Sequence, residues 1–130
     1  MKTTRVKLGD LSVGFVDNLA DAMRHCGHNP QPLLDSYGLD AARLAEPRAR
    51  LSIPRYMRLG HTAIQQCNQP GLGLLMGQAS RLSQVGLAGV TAAQAPTVRE
   101  AARALIRFEP LYAANYRGQS SLHEDHQGAW

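Results

Sequence analysis

Ala95-Pro96-Thr97 is the junction that most constrains the fold of this chain. Pro96 keeps the residue before it out of the helical region of backbone space. Thr97 then stands as an N-cap, with Glu100 at capping-box spacing. From this start Val98, Ala101, Ala102, Leu105, Phe108 and Tyr112 trace one apolar stripe at helical spacing. The stripe begins with small side chains and ends with large ones, so it suits close packing first and a deeper gap later. Leu105 is expected to be buried and Arg103 exposed. Pro110 has no N–H to give the Ile106 carbonyl, so a kink or helix end is expected near Glu109. Just upstream, Gln84 to Gln94 reads as a compact helical turn whose glycines permit close approach to a neighbour.

The same punctuation recurs along the chain. Ser12 can cap a helix from Val13 to about Cys26, with Val13, Val16, Leu19, Ala20 and Met23 on one face and Gly27 as its stop. A short helix from Pro30 to Tyr37 ends at Gly38, and Asp40 caps another turn or two before Pro47. Ser52-Ile53-Pro54 opens a longer helix whose apolar face reads as Ile53, Tyr56, Met57, Gly60, Ala63, Ile64 and Cys67. Leu72 to Gln78 makes a brief one after Asn68-Gln69-Pro70-Gly71. Hydrophobic residues are 44% of the chain, and Ala and Leu dominate them while aromatics are only 5%. That balance favours helices over strands. The expected fold is an all-α helical domain of about five to seven helices from Ser12 to about Tyr116. Ser120 to Trp130 has no helical stripe, and His126-Gln127-Gly128 reads as a turn between two short strands.

At 130 residues the chain is one domain, long enough to bury a core without disulfides. Its net charge of +4 is carried mainly by arginines scattered from Arg5 to Arg117, with no dense basic run at either end. Direct nucleic-acid binding by these residues is therefore disfavoured. Cys26 and Cys67 are single and well separated, as in a reducing compartment. No apolar run approaches the ~20 residues that span a bilayer, and MKTTRVKLGD lacks the apolar core of a signal peptide. A cytoplasmic protein without membrane contact is expected.

Few constellations invite chemistry. Gly71-x-Gly73-x-x-x-Gly77 has the wrong spacing for a dinucleotide fingerprint and follows a helix end, so helix-junction glycines are the better reading. His25-Cys26-x-His28 sits where a helix ends and reads as surface histidines rather than a metal site. His123-Glu124-Asp125-His126 offers more ligand atoms, but in a segment that reads as a solvated tail. Arg99, Arg103 and Arg107 form a basic ridge that suits either an anion or plain solvent. With Glu100 three residues from Arg103, the solvent face is preferred. No nucleophile elbow, zinc-protease motif or apolar carboxylate pair is present, so nothing argues for an enzyme, a cofactor or a metal. Phe108 and Tyr112, at the wide end of the last stripe, are the candidate effector-binding residues; filling the core is the alternative for both.

Three segments in order carry a resemblance: Leu51-Ser52-Ile53-Pro54; Gln69-Pro70-Gly71-Leu72-Gly73-Leu74 with Gly77; and Gly86-Leu87-Ala88-Gly89 followed by Ala95-Pro96-Thr97-Val98, Glu100-Ala101 and Leu105. Together they resemble the N-terminal regulatory domain of AraC/XylS-type bacterial transcription regulators, in its mostly helical, arabinose-binding-like form. The resemblance implies an effector-sensing domain for a small metabolite, with homodimer formation a further expectation. It implies promoter DNA bound by a C-terminal double helix-turn-helix that these 130 residues lack. The chain is then expected to be a fragment, ending where the α+β sensor domain would run on into a β-hairpin. The family shares no set of effector contacts, so none is carried over. A stand-alone helical adaptor is the rival reading and a small enzyme a weaker one. A reading frame continuing past Trp130 into a helix-turn-helix would separate regulator from adaptor.

Overall fold

The computed structural model describes residues 8–130. The reading of MKTTRVKLGD as free of a signal core rests largely on residues 1–7, which lie outside them. The order is β1 (Gly9–Ser12), α1 (Gly14–His25), α2 (Gln31–Ser36), α3 (Ala41–Ala45), β2 (Arg50–Ser52), α4 (Ile53–Cys67) and α5 (Leu72–Ala79). A 3-10 turn (Leu82–Val85) leads to α6 (Leu87–Ala93), α7 (Val98–Arg107), α8 (Glu109–Tyr112) and β3 (Ala113–Asn115). The fold is predominantly helical, as composition and punctuation indicate. It has one α-helix more than the expected range because the Pro110 break leaves α8 as a separate turn.

The small sheet carries no period-2 signal and was not expected. Its order is β2-β1-β3, antiparallel throughout, with Leu11 opposite both Leu51 and Ala113. The strands are too short for alternation to register, and long-range pairing decides them. Arg50 fastens the arrangement: its Nε donates to Asp10 of β1 and its Nη1 donates to the Leu111 carbonyl of α8, 2.8 Å away. Because Ser52 ends β2, its hydroxyl does not cap α4, and the helix starts on Pro54 in its first turn instead.

α1 is the centre of the core. Its expected face is buried throughout, from Val13 and Val16 to Leu19, Ala20 and Met23. Around it lie Leu33, Leu34, Leu39, Leu51, Leu59, Ala63 and Leu72, drawn from α2, β2, α4, α5 and the loop before α3. Burying a side chain such as Leu19 contributes roughly 1.5–3 kcal/mol. The stop is a Schellman-type end: Gly27 adopts φ 80° and the His28 N–H donates to the Met23 carbonyl at 3.0 Å. Asp40 caps α3 through its Oδ1, which accepts from the Arg43 N–H at 2.8 Å.

Two faces turn out differently from their stripes. On α4 the fully buried residue is Leu59, with Ala63 and Cys67, whereas Met57 and Ile64 are exposed. The helix is rotated toward Leu59 because it meets α1 and the sheet on that side. On α7 no residue is fully buried: Leu105 is only half-buried and Val98 is 87% exposed. Among the described elements α7 packs mainly against α6 and α8, with Arg99 and Arg103 tied to Glu124, so its apolar face is only partly covered.

Candidate effector cleft

Backbone contacts set the site before any side chain does. A Cβ on Gly14 would lie 1.8 Å from the Gln84 carbonyl oxygen, and one on Gly89 would lie 1.6 Å from that of Leu82. Glycine is thus required on both sides of the 3-10 turn, from α1 and from α6. Gly86, at φ 63°, redirects the chain between turn and helix. These glycines place backbone against backbone. That is the close packing expected of the Gln84–Gln94 segment.

Between α1, the 3-10 turn and the α7–α8 corner lies a cleft of about 360 Å³. Phe15, Leu82, Val85, Leu105 and Tyr112 make its walls. Two amide side chains, Asn18 and Gln84, also line it. Asn18 is only 9% exposed, and its Oδ1 has no hydrogen-bond partner among the described residues. The Nε2 of Gln84 is likewise buried and unpartnered among them. The other end of that amide is committed, because Gln84 Oε1 accepts from the Arg81 N–H at 2.9 Å. A buried polar group without a partner costs about 1–3 kcal/mol, so these two amides weaken the fold where they stand. An adjoining groove of about 580 Å³ shares Gln84 and Tyr112 but carries the carboxylates Asp17 and Glu46. Burial, then the neighbouring Asp21, push the Asp17 carboxyl up, against the opposing pull of Arg24 and Arg81.

An aromatic row backs the cleft. Phe15 meets Tyr56 edge-on at 6.4 Å and Tyr112 at 6.3 Å between ring centroids. Burial pushes the Tyr56 phenol up to about 12, and its hydroxyl donates to the Phe15 carbonyl. Tyr112 is also raised, by burial and then by Glu109, and donates to the Leu105 carbonyl at 3.0 Å. Both phenols stay neutral donors near pH 7 and already have acceptors.

Of the two residues proposed from the stripe, Tyr112 lines the cleft. Phe108 does not, and instead lies under the Arg107 guanidinium at 5.6 Å. The arginine ridge is exposed, yet its partner is not Glu100. Arg99 and Arg103 both bind Glu124, on the hairpin closed by paired bonds between His123 and Trp130. The Arg99 hydrogen bond, opposed by partial desolvation and aided by Arg103, holds the Glu124 carboxyl below the ordinary glutamate range. The segment His123–His126 is therefore part of the expected strand, turn and strand, with the turn at 125–128, and not a solvated tail. Among the described residues no group of three or more His, Cys, Asp or Glu could hold a metal ion. Cys67 lies beside Cys26, and burial followed by that neighbour pushes its thiol up, away from a reactive thiolate. Glu100 does face Thr97, whose Oγ1 accepts from the Glu100 N–H at 3.2 Å.

Sequence reading missed Asn18 and Gln84. Asn18 did carry a signal: it falls between Val16 and Leu19, a polar residue on the buried side of α1. Gln84 carried none, because its burial depends on the two glycine contacts.

Comparison with known proteins places this geometry in context. The family model described as the arabinose-binding domain of AraC transcription regulators, N-terminal, matches residues 27–130. Phe15 and Asn18 of the cleft precede the matched region, whereas Gln84, Leu105 and Tyr112 lie inside it. The ornithine utilization regulator of Pseudomonas aeruginosa is 26% identical over 104 residues, covering 80% of this chain. The chain spans about a third (31%) of that relative's length. No described helix is long and apolar enough to cross a membrane. With the match covering most of its length, the chain belongs to the N-terminal arabinose-binding domain family of AraC transcription regulators.

Proposed function

We propose that the chain is the effector-sensing regulatory domain of an AraC-type transcription regulator, responding to a small metabolite bound in the cleft between α1 and the 3-10 turn. The observation that carries this reading is a pair of buried side-chain atoms without hydrogen-bond partners among the described residues, Asn18 Oδ1 and Gln84 Nε2, on side chains that line an apolar cleft of a regulator-family domain. Residues that weaken the fold persist where a ligand uses them. Tyr112 contributes a wall of the site and Phe108 does not. In this reading the protein is cytoplasmic, is not an enzyme and carries no cofactor. DNA contact belongs to a helix-turn-helix region beyond these residues, and the regulator acts as a homodimer.

The metabolites to screen include charged ones, among them the ornithine in the name of the Pseudomonas aeruginosa relative, beside uncharged ones. The test is a metabolite screen with two readouts: the melting temperature of the chain and a promoter reporter driven by its gene. A true effector raises the first, because it binds only the folded state, and changes the second. A screen that moves neither readout would overturn the reading. The 130-residue chain is expected to show no sequence-specific DNA affinity. Most side chains between the arginines of the ridge Arg99, Arg103 and Arg107, such as Ala101, Ala102 and Leu105, are small or apolar, and two of the three arginines are engaged by Glu124. Fluorescence anisotropy at near-physiological salt, promoter against scrambled duplex, checks this.

The exposed side chains Leu87, Val90 and Val98 favour a second reading, a helical protein–protein adaptor. A reading frame that continues into a helix-turn-helix would count against it.

A further inference from the structure

We propose that the cleft selects a small uncharged molecule carrying one carbonyl acceptor and one N–H or O–H donor on an apolar body, the chemistry of a carboxamide or lactam, read by Asn18 and Gln84. This rests on the effector reading above and specifies the ligand class.

The polar demand of the cleft is one acceptor and one donor. Asn18 Oδ1 asks for a ligand donor, and Gln84 Nε2 asks for a ligand acceptor. The direction of the glutamine is set, since its Oε1 already holds the Arg81 N–H. Among the described residues no hydrogen bond fixes the Asn18 amide, so a half-turn lets it offer a donor as well. A carboxamide or lactam presents both functions side by side and carries no charge to desolvate.

Charge argues the same way. No described residue lining the cleft is a carboxylate, so an ammonium entering it would lose water without gaining a counter-ion. Arg81 is the charged residue among them, and its Nη2 is held by Asp21 at 2.9 Å. Asp21 also holds Arg24 at 2.9 Å. An anion would have to compete with that network. The remaining walls, Phe15, Leu82, Leu105 and Tyr112 among them, accept an apolar ring or chain. The carboxylates nearby, Asp17 and Glu46, line the adjoining groove instead, together with Arg48.

The experiment uses three probes of nearly one shape: benzamide, benzoate and benzylamine, titrated into the ¹⁵N-labelled chain and followed by side-chain amide resonances. Benzamide is expected to shift the Asn18 and Gln84 NH₂ signals and to bind at least about tenfold tighter than either charged probe. Asn18→Leu and Gln84→Met should each weaken benzamide about five- to tenfold, the worth of one neutral hydrogen bond. Asn18→Leu should also raise the melting temperature, because it removes an unpartnered buried amide. A residue needed only for the fold would lower it. Equal binding of the three probes, no binding by any, undiminished benzamide binding in the variants, or a lower melting temperature for Asn18→Leu would each overturn the proposal. If a metabolite drives the reporter and both variants still bind it, the effector reading stands and this ligand class fails. If benzamide behaves as expected but no metabolite drives the reporter, the cleft chemistry stands and the effector reading fails.

Discussion

Helices α1 and α7 have similar apolar patterns and opposite fates. α1 buries six residues, Asn18 among them, while α7 buries none. Both show an apolar stripe at helical spacing with charged residues away from it, Arg24 on α1 and Arg99, Arg103 and Arg107 on α7. The difference is in their neighbours: α1 is surrounded by α3, α4, α5, the sheet and the 3-10 turn, whereas α7 packs mainly against α6 and α8. Periodicity thus tells which side of a helix turns inward. How deep that side lies depends on how many other elements arrive to cover it. The cleft sits at the seam between these two environments, with Asn18 on the covered helix and Leu105 on the half-covered one.

The largest consequence is expected on α1. Leu19→Ala should cost about 2–5 kcal/mol, because the filled surroundings leave a cavity that cannot collapse. Chemical denaturation of the variant measures it. Gly89→Ala comes next, at about 1–3 kcal/mol, since the new methyl meets the Leu82 carbonyl and the turn must shift. The same substitution should weaken any cleft ligand, because Gln84 moves with the turn. On α7, Leu105→Ala should cost only about 1 kcal/mol, in line with its half-burial. If it costs as much as Leu19→Ala, the contrast between the two helices is wrong. Thr97→Ala should cost a similar ~1 kcal/mol through the lost cap.

The smallest effect belongs to the surface pair on α7. The Glu124 carboxyl is depressed in the folded state, so its anchoring of the hairpin is complete above the ordinary glutamate pKa. That anchoring is lost as pH falls through the lower, folded value. Amide protection at His123 and Trp130 should decline over that acid window, decline earlier in high salt, and be low at all pH in Glu124→Gln. Global stability should hardly register the change. Protection that ignores pH would mean the hairpin is held by its own turn rather than by α7.

Much of the architecture was legible locally. The stops at Gly27 and Gly38, the caps at Asp40 and Thr97, and the break before Pro110 all appear where their side chains and backbone chemistry require. Every residue of the stripe expected for α1 is buried, and Asn18 and Ala22 are buried beside it. Rotation of α4 was not, because Ile53, Met57 and Ile64 compete with Leu59 for one face and only the neighbours choose. Of the two effector candidates read from the stripe, Tyr112 alone lines the cleft, while Asn18 shows in the sequence only as a polar residue between buried ones and Gln84 only as part of a turn.

What the chain's local chemistry determined is where helices start, where they stop and which broad class of fold results, because capping, proline and glycine act within a few residues. The family resemblance followed from that same punctuation, since its marks are junctions rather than catalytic groups. Tertiary structure alone decided the three-stranded sheet, the burial of Leu59 over Met57, the capture of Glu124 by Arg99 and Arg103, and the cleft. Each of these joins residues distant in sequence, and such contacts form only when packing brings separate elements together. Asn18 and Gln84 show this most clearly: one stands on α1 and the other on the 3-10 turn, and both line the cleft beside the close approach of those elements at Gly14.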